Sequence, residues 1–216
     1  MIEDYQAQTA ALAAGTVTQV SAIYAAFQAG QITQAETAQL VASVINLANA
    51  TAATLADAFI SAQIEVQIGY PTPTVGVVPA DDTARLELAA HTILDDLFTA
   101  VSEKTSAADD EIDDDQPDPV SAAEVRFERL ARAEPLETAQ KATVEVMDAQ
   151  PLVEGWTRQM DADPCQLCTW WWRTGRIWPK NHPFQSHKGC NCQPKVVLAK
   201  EIQSTEYTRK LERNQA

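Results

Sequence analysis

All four cysteines of this chain lie between residues 165 and 192, with two of its three histidines and four of its five tryptophans. Cys165 and Cys168 are separated by two residues, a spacing at which a tight knuckle turns both Cβ vectors toward one tetrahedral cation. After eighteen intervening residues His187 and Cys190 offer a second pair, and Cys192 follows two positions on. Thiolate and imidazole suit zinc, a borderline-soft d10 ion, and four protein ligands with no open position make a structural rather than a catalytic site. Five residues compete for about four places. Cys165, Cys168 and His187 are favoured for three, with Cys190 or Cys192 as the fourth. Two disulfides are the competing use of the same thiols. They need an oxidising compartment, and the acidic start Met1-Ile-Glu-Asp-Tyr5 has neither the basic nor the apolar segment of an export signal.

Other chemistry finds no support. There is no Ser-His-Asp order and no phosphate-cradling glycine loop, and neither His182 nor His187 has the acidic neighbour that a hydrolytic metal centre uses. The reading is therefore of a protein without a catalytic role. His91 sits alone in a helical stretch and is assigned none.

The elements that must position the cluster are read from composition and periodicity. With 216 residues, 45% of them hydrophobic, the chain can bury a real core; only seven glycines and an Ala- and Gln-rich first half point to helices. No apolar run is expected to span a bilayer. Val20, Ile23, Tyr24 and Phe27 form one stripe of a helix over residues 2–29, ended by Gly30. Thr33 with Glu36 is a capping box for a second helix, to about residue 67, with Val41, Val44, Ile45, Ala48, Leu55 and Phe59 inward. A short connection between two such helices predicts an antiparallel hairpin. Pro71, Pro73 and Pro79 make an extended connector with apolar contacts, and Asp81 and Asp82 cap a third helix carrying Leu86, Ala90, Ile93, Leu94, Leu97 and Val101.

Residues 108–118 are an acidic block too repulsive to pack, read as a solvated linker and domain boundary. Ser121 and Glu124 are a capping box for a fourth helix, with a kink or restart expected at Pro135. Arg129 and Arg132 share a face with Glu128 and Glu134 nearby, either as a surface ion network or as a buried pair locking the helix to the knuckle. Short strands are predicted over 153–160, around Trp178 and after Pro194. The run Trp170 to Trp172 is expected to pack with the metal as the core of this small unit, although stacked tryptophans also suit unpaired bases. The fold class is mainly α: a helical region over residues 1–107, the acidic linker 108–118, a small α+β zinc-knuckle-like module over 119–198 and a basic tail 199–216. The formal net charge of −14 is divided unevenly. Residues 169–216 hold nine Lys or Arg against Glu201, Glu206 and Glu212, a net of +6, leaving −20 on residues 1–168. The basic end suits an acidic partner, whether DNA, another protein or this chain's own body.

The order Arg129-Leu-Ala-Arg132-Ala-Glu134, a helix, Gly155-Trp156, Asp163-Pro-Cys165-Gln-Leu-Cys168, a turn at Arg173-Thr-Gly175, and His187-x-x-Cys190-x-Cys192 closed by Pro194 resembles the phage Mu F-like minor capsid, or head morphogenesis, proteins. The likeness is to the versions carried by tailed phages of actinobacteria and spans residues 121–197. It implies a low-copy component inside the phage head, present in the host cytoplasm during assembly, that associates with the portal or major capsid protein and acts in assembly or DNA delivery. Self-association in the virion and contact with packaged DNA through the basic tail are further expectations. On this likeness the metal knuckle comprises Cys165, Cys168, His187, Cys190 and Cys192. The alternative reading is a zinc-stabilised DNA-binding module or a His- and Cys-rich nuclease using the basic tail and His182.

Overall fold

Alanine decides how closely the helices of this chain approach one another. Ala38, Ala42, Ala52, Ala53 and Ala56 on one helix and Ala123, Ala131, Ala139 and Ala142 on another are buried where larger side chains would hold the axes apart. The computed structural model describes residues 1–106 and 118–199. The expected acidic linker, apart from Asp118, and the expected basic tail, apart from Ala199, lie outside the described residues.

The chain is mainly α with a small sheet near its end. The helices are α1 (Ile2–Gln28), α2 (Gln34–Ile68), α3 (Thr83–Ser106) and α4 (Pro119–Ala149); β1 (Val153–Gln159), α5 (Gln166–Trp172), β2 (Trp178–Pro179) and β3 (Gln193–Leu198) follow. The predicted capping box is present: the Thr33 hydroxyl accepts from Glu36 N–H while Glu36 Oε2 accepts from Thr33 N–H at 2.8 Å. Asp81 Oδ1 accepts from Thr83 N–H and begins α3 as expected. Two local expectations are corrected. α4 starts one turn earlier than the Ser121–Glu124 box implies, because Asp118 accepts from Ser121 N–H and Pro119 supplies the first helical residue. α4 also continues through Pro135. That proline is buried in a helix packed against α1, α2 and α3, and tertiary packing outweighs the lost amide donor.

Helices α1, α2 and α4 run through two apolar clusters. In one, α3 completes the core with Leu86, Ala90, Ile93, Leu94 and Leu97 against Val20, Tyr24, Val41, Ile45 and Phe127. In the other the sheet takes that place, with Val153, Trp156, Val196 and Leu198 against Tyr5, Phe59, Ile60, Ile64 and Val146. The elements before and after the acidic block therefore share both cores. The small α+β unit expected near the end of the chain is present, with its sheet packed on α1, α2 and α4. By length and composition alone α1 and α2 pass for bilayer spans, a test that buried core helices also pass. Their largest buried side chains face the shared core.

The sheet order is β2-β1-β3, antiparallel throughout, with Trp156 opposite Trp178 and Val196. Gly155 is required by close approach: a Cβ there would lie 2.4 Å from the Trp178 carbonyl oxygen. The outer edge of β3 is closed by side chains of α2. Gln63 accepts from Val196 N–H and donates to the Pro194 carbonyl, and Gln67 donates to the Val196 carbonyl. These bonds occupy backbone groups that would otherwise pair with another strand.

The proline-rich connector is held by a polar clamp as well as by apolar contact from Val77. Buried Asp57 on α2 accepts from Val75 N–H at 2.8 Å and Gly76 N–H at 2.7 Å, and Gly76 has the positive φ of 81° that the turn needs. Ser61 and Gln150 both donate to the Pro73 carbonyl. Asp57→Ala leaves the amides of Val75, Gly76 and Val77 without their carboxylate acceptor and is expected to cost about 2–4 kcal/mol. A thermal melt should fall by roughly 4–16 °C; an unchanged melting temperature would show that water replaces the carboxylate at no cost.

Candidate metal centre

Two turns bring the five predicted residues together. The first follows Pro164: Cys165 precedes α5, and Cys168 lies on its buried side. The second is His187-Lys-Gly-Cys190, in which Cys190 N–H donates to the His187 carbonyl at 3.0 Å and Gly189 takes φ 76°. Such a turn reverses the chain within four residues and sets both side chains on one side.

The five fall into two triads that share Cys168. Cys165, Cys168 and His187 form one, and Cys168, Cys190 and Cys192 the other, each with its donor atoms within 4.8 Å of one another. His187 Nε2 lies 3.0 Å from Cys165 Sγ and 3.3 Å from Cys168 Sγ, and Cys168 Sγ lies 3.5 Å from Cys190 Sγ. The sulfur–sulfur separation of 3.5 Å is well beyond a disulfide bond, and all four cysteines are free thiols. The cluster can hold a metal ion. Cys165 and His187 meet solvent, while Cys168, Cys190 and Cys192 are buried against Met160 and Phe184.

Backbone geometry prepares the donors. His187 Nδ1 lies 3.1 Å from the Lys188 carbonyl, which can only accept, so Nδ1 carries the proton and Nε2 turns its lone pair to the sulfurs. The backbone N–H of Cys168, opposed by slight desolvation, holds the Cys165 thiol below the usual range. The Cys192 side chain and its N–H, 3.4 Å from Cys190 Sγ, draw the Cys190 thiol down to about 5 against its burial. Cys192, which donates to Cys190, is correspondingly raised, and burial pushes Cys168 up to about 12. Burial lowers His187, but the Lys188 carbonyl and the thiolates of Cys190 and Cys165 outweigh it and raise the ring. The cluster thus concentrates thiolate character at Cys165 and Cys190, one from each turn.

The helical body grips this site through residues that sequence reasoning missed. Gln140 on α4 donates its Nε2 to the Cys190 carbonyl at 2.8 Å and the Cys192 carbonyl at 3.0 Å. On α1, Gln6 donates to the carbonyls of Met160 and Asn191, and Thr9 donates to Asn191 Oδ1 at 2.8 Å. Asn191, between the two cysteines, returns a bond from Nδ2 to the Gln6 carbonyl at 2.7 Å. The available signal was three polar residues on otherwise apolar, alanine-rich helix faces, since buried polar side chains take hydrogen-bond partners.

The structure decides the alternative left open for Arg129 and Arg132 and changes the expectation for the tryptophan run. Arg129 and Arg132 are exposed and do not reach the knuckle; Glu134 instead pairs with Arg85 of α3 at 2.6 Å. The Trp170 to Trp172 run is not the core: Trp170 is 57% exposed, and the buried tryptophan is Trp156, within the cluster shared with the helices. His182 stacks on Trp178 at 4.0 Å and belongs to neither triad. Compared with known proteins, the chain matches no family model, no curated protein and no solved structure.

Proposed function

We propose that this chain is a minor capsid, or head morphogenesis, protein of a tailed phage. It would dock on the portal or capsid shell inside the head, with one structural zinc ion fastening its C-terminal sheet and loops to a helical body. The observation that carries this reading is the donor set of Cys165, Cys168, His187 and Cys190. Around zinc with Zn–S near 2.3 Å and Zn–N near 2.0–2.1 Å, neighbouring donors sit about 3.5–3.8 Å apart, and the three donor separations of 3.0, 3.3 and 3.5 Å approach that geometry. Cys190 is the fourth ligand of this proposal because its sulfur is the one beside Cys168 and ends the His187 turn; Cys192 supplies the N–H that steadies it.

Four protein donors leave no position for substrate or activated water, so zinc supplies cross-linking rather than chemistry. The head assignment is supported by the resemblance over residues 121–197, whose pieces fall on α4, β1, the two metal turns and β3. Mass spectrometry of the native protein should find one zinc per chain, and protein analysis of purified virions should find the chain protected from external protease. Absence from purified heads removes the virion assignment; a metal-free native protein removes the zinc.

A further inference from the structure

Beside β1, on the side of the Trp171 ring, lies a cavity of about 170 Å³ whose lining includes Arg158, Arg173, Trp171, Trp178, His182 and Gln185. Arg158 projects from β1 and is 3% exposed. Its Nη2 donates to the Gln185 carbonyl, but its Nε and Nη1 have no hydrogen-bond partner among the described residues. No described carboxylate pairs with it. Among the described residues, what faces its charge is the Phe184 ring, 4.1 Å from the guanidinium carbon, and the Trp171 ring at 5.5 Å. A buried guanidinium without an anion is costly, and buried polar atoms are ordinarily satisfied. Trp178, which also lines the cavity, has a second orphan: its Nε1 is buried without an acceptor among the described residues. The exposed Arg173 is a further lining residue, Arg176 stacks on Trp178 at 4.4 Å, and among the described residues no acidic side chain lines the space.

We propose that this cavity binds a phosphate group, anchored by Arg158 with Arg173 and Trp178 Nε1 as further donors. Phosphate fits better than carboxylate. Two guanidinium groups and an indole N–H are matched by three or four oxygens carrying more than one charge, whereas two carboxylate oxygens leave donors unmet. Both rings of Trp178 and His182 are occupied by each other and by Arg176, so the site reads the oxyanion rather than a stacked base. The inference is independent of the head assignment, but most of the lining, from Trp171 to Gln185, lies between the two metal turns and depends on their being folded.

The native full-length chain should be titrated with inorganic phosphate, acetate and a short oligothymidylate, following tryptophan emission. Saturable binding of phosphate but not acetate is expected. Arg158→Lys should weaken it at least about tenfold, since one ammonium cannot serve the Gln185 carbonyl and the anion together. Arg173→Gln, at an exposed position, should weaken it roughly three- to tenfold with unchanged melting, which decides the matter if the Arg158 variant fails to fold. Oligothymidylate binding more tightly than phosphate and falling steeply with salt assigns the site to a nucleic-acid backbone; phosphate binding alone assigns it to a free phosphate or monoester. No saturation by about 10 mM phosphate, equal binding of acetate, or parent-like binding by Arg173→Gln overturns the proposal.

Discussion

Cys168→Ser is expected to abolish stoichiometric metal binding while leaving the helical body and its buried tryptophan in place. Cys168 is the one residue common to both triads, so its loss leaves neither with three sulfur or nitrogen donors of full strength. Structural zinc contributes about 10–16 kcal/mol of apparent binding energy in isolated fingers, which are unfolded without it. Here the consequence is more local. Trp156 packs with Phe59, Ile60, Val146 and Val196, not around the sulfurs, so β1 and β3 keep their apolar contacts with α2 and α4. Hydrogen exchange should accelerate over residues 160–192, with protection retained in β1 and α2. Trp156 should remain shielded from quenchers while the exposed tryptophans change environment. Full metal occupancy in the variant would sink the ligand assignment, and global melting would show that the metal supports the whole body.

Gln140→Leu is expected to be the most damaging substitution outside the ligands. It keeps volume but removes the donor shared by the carbonyls of Cys190 and Cys192, in a position 2% exposed to solvent. Each buried carbonyl left unpaired costs about 1–3 kcal/mol, so with two of them a loss of roughly 2–6 kcal/mol should follow. Metal affinity should fall about 10–100-fold, as for other residues that orient a ligand without touching the ion. Chemical denaturation and competition with a metal indicator measure the two effects separately. If stability falls and affinity does not, Gln140 supports the fold alone; if neither moves, the bonds to the knuckle carry no weight.

Much of this architecture is legible in the chain because its causes are short-range. Thr33 and Glu36 satisfy each other's amides across one turn, Asp81 caps the helix two residues on, and Cys165 and Cys168 are brought together by a single knuckle. The three strands were likewise readable, since alternation and flanking prolines act within a few residues. Expectations failed where a distant element intervened. Pro135 stays helical because three helices hold α4, and Trp170 faces outward while Trp171 and Trp172 are half-buried, because the helical body already provides the sheet with a core.

The sequence alone determined the extents of α1 and α2 and the start of α3, and that the end of the chain holds thiols and an imidazole spaced to hold a metal ion. Tertiary structure decided that the helices and the sheet share one core, that Cys168 joins both triads, and that Gln6, Thr9 and Gln140 reach across more than fifty residues, or nearly two hundred, to hold the knuckle. The division has a physical origin. Capping and chelate spacing are solved by backbone geometry within one turn, whereas a buried polar pair is chosen only when packing removes water from both partners.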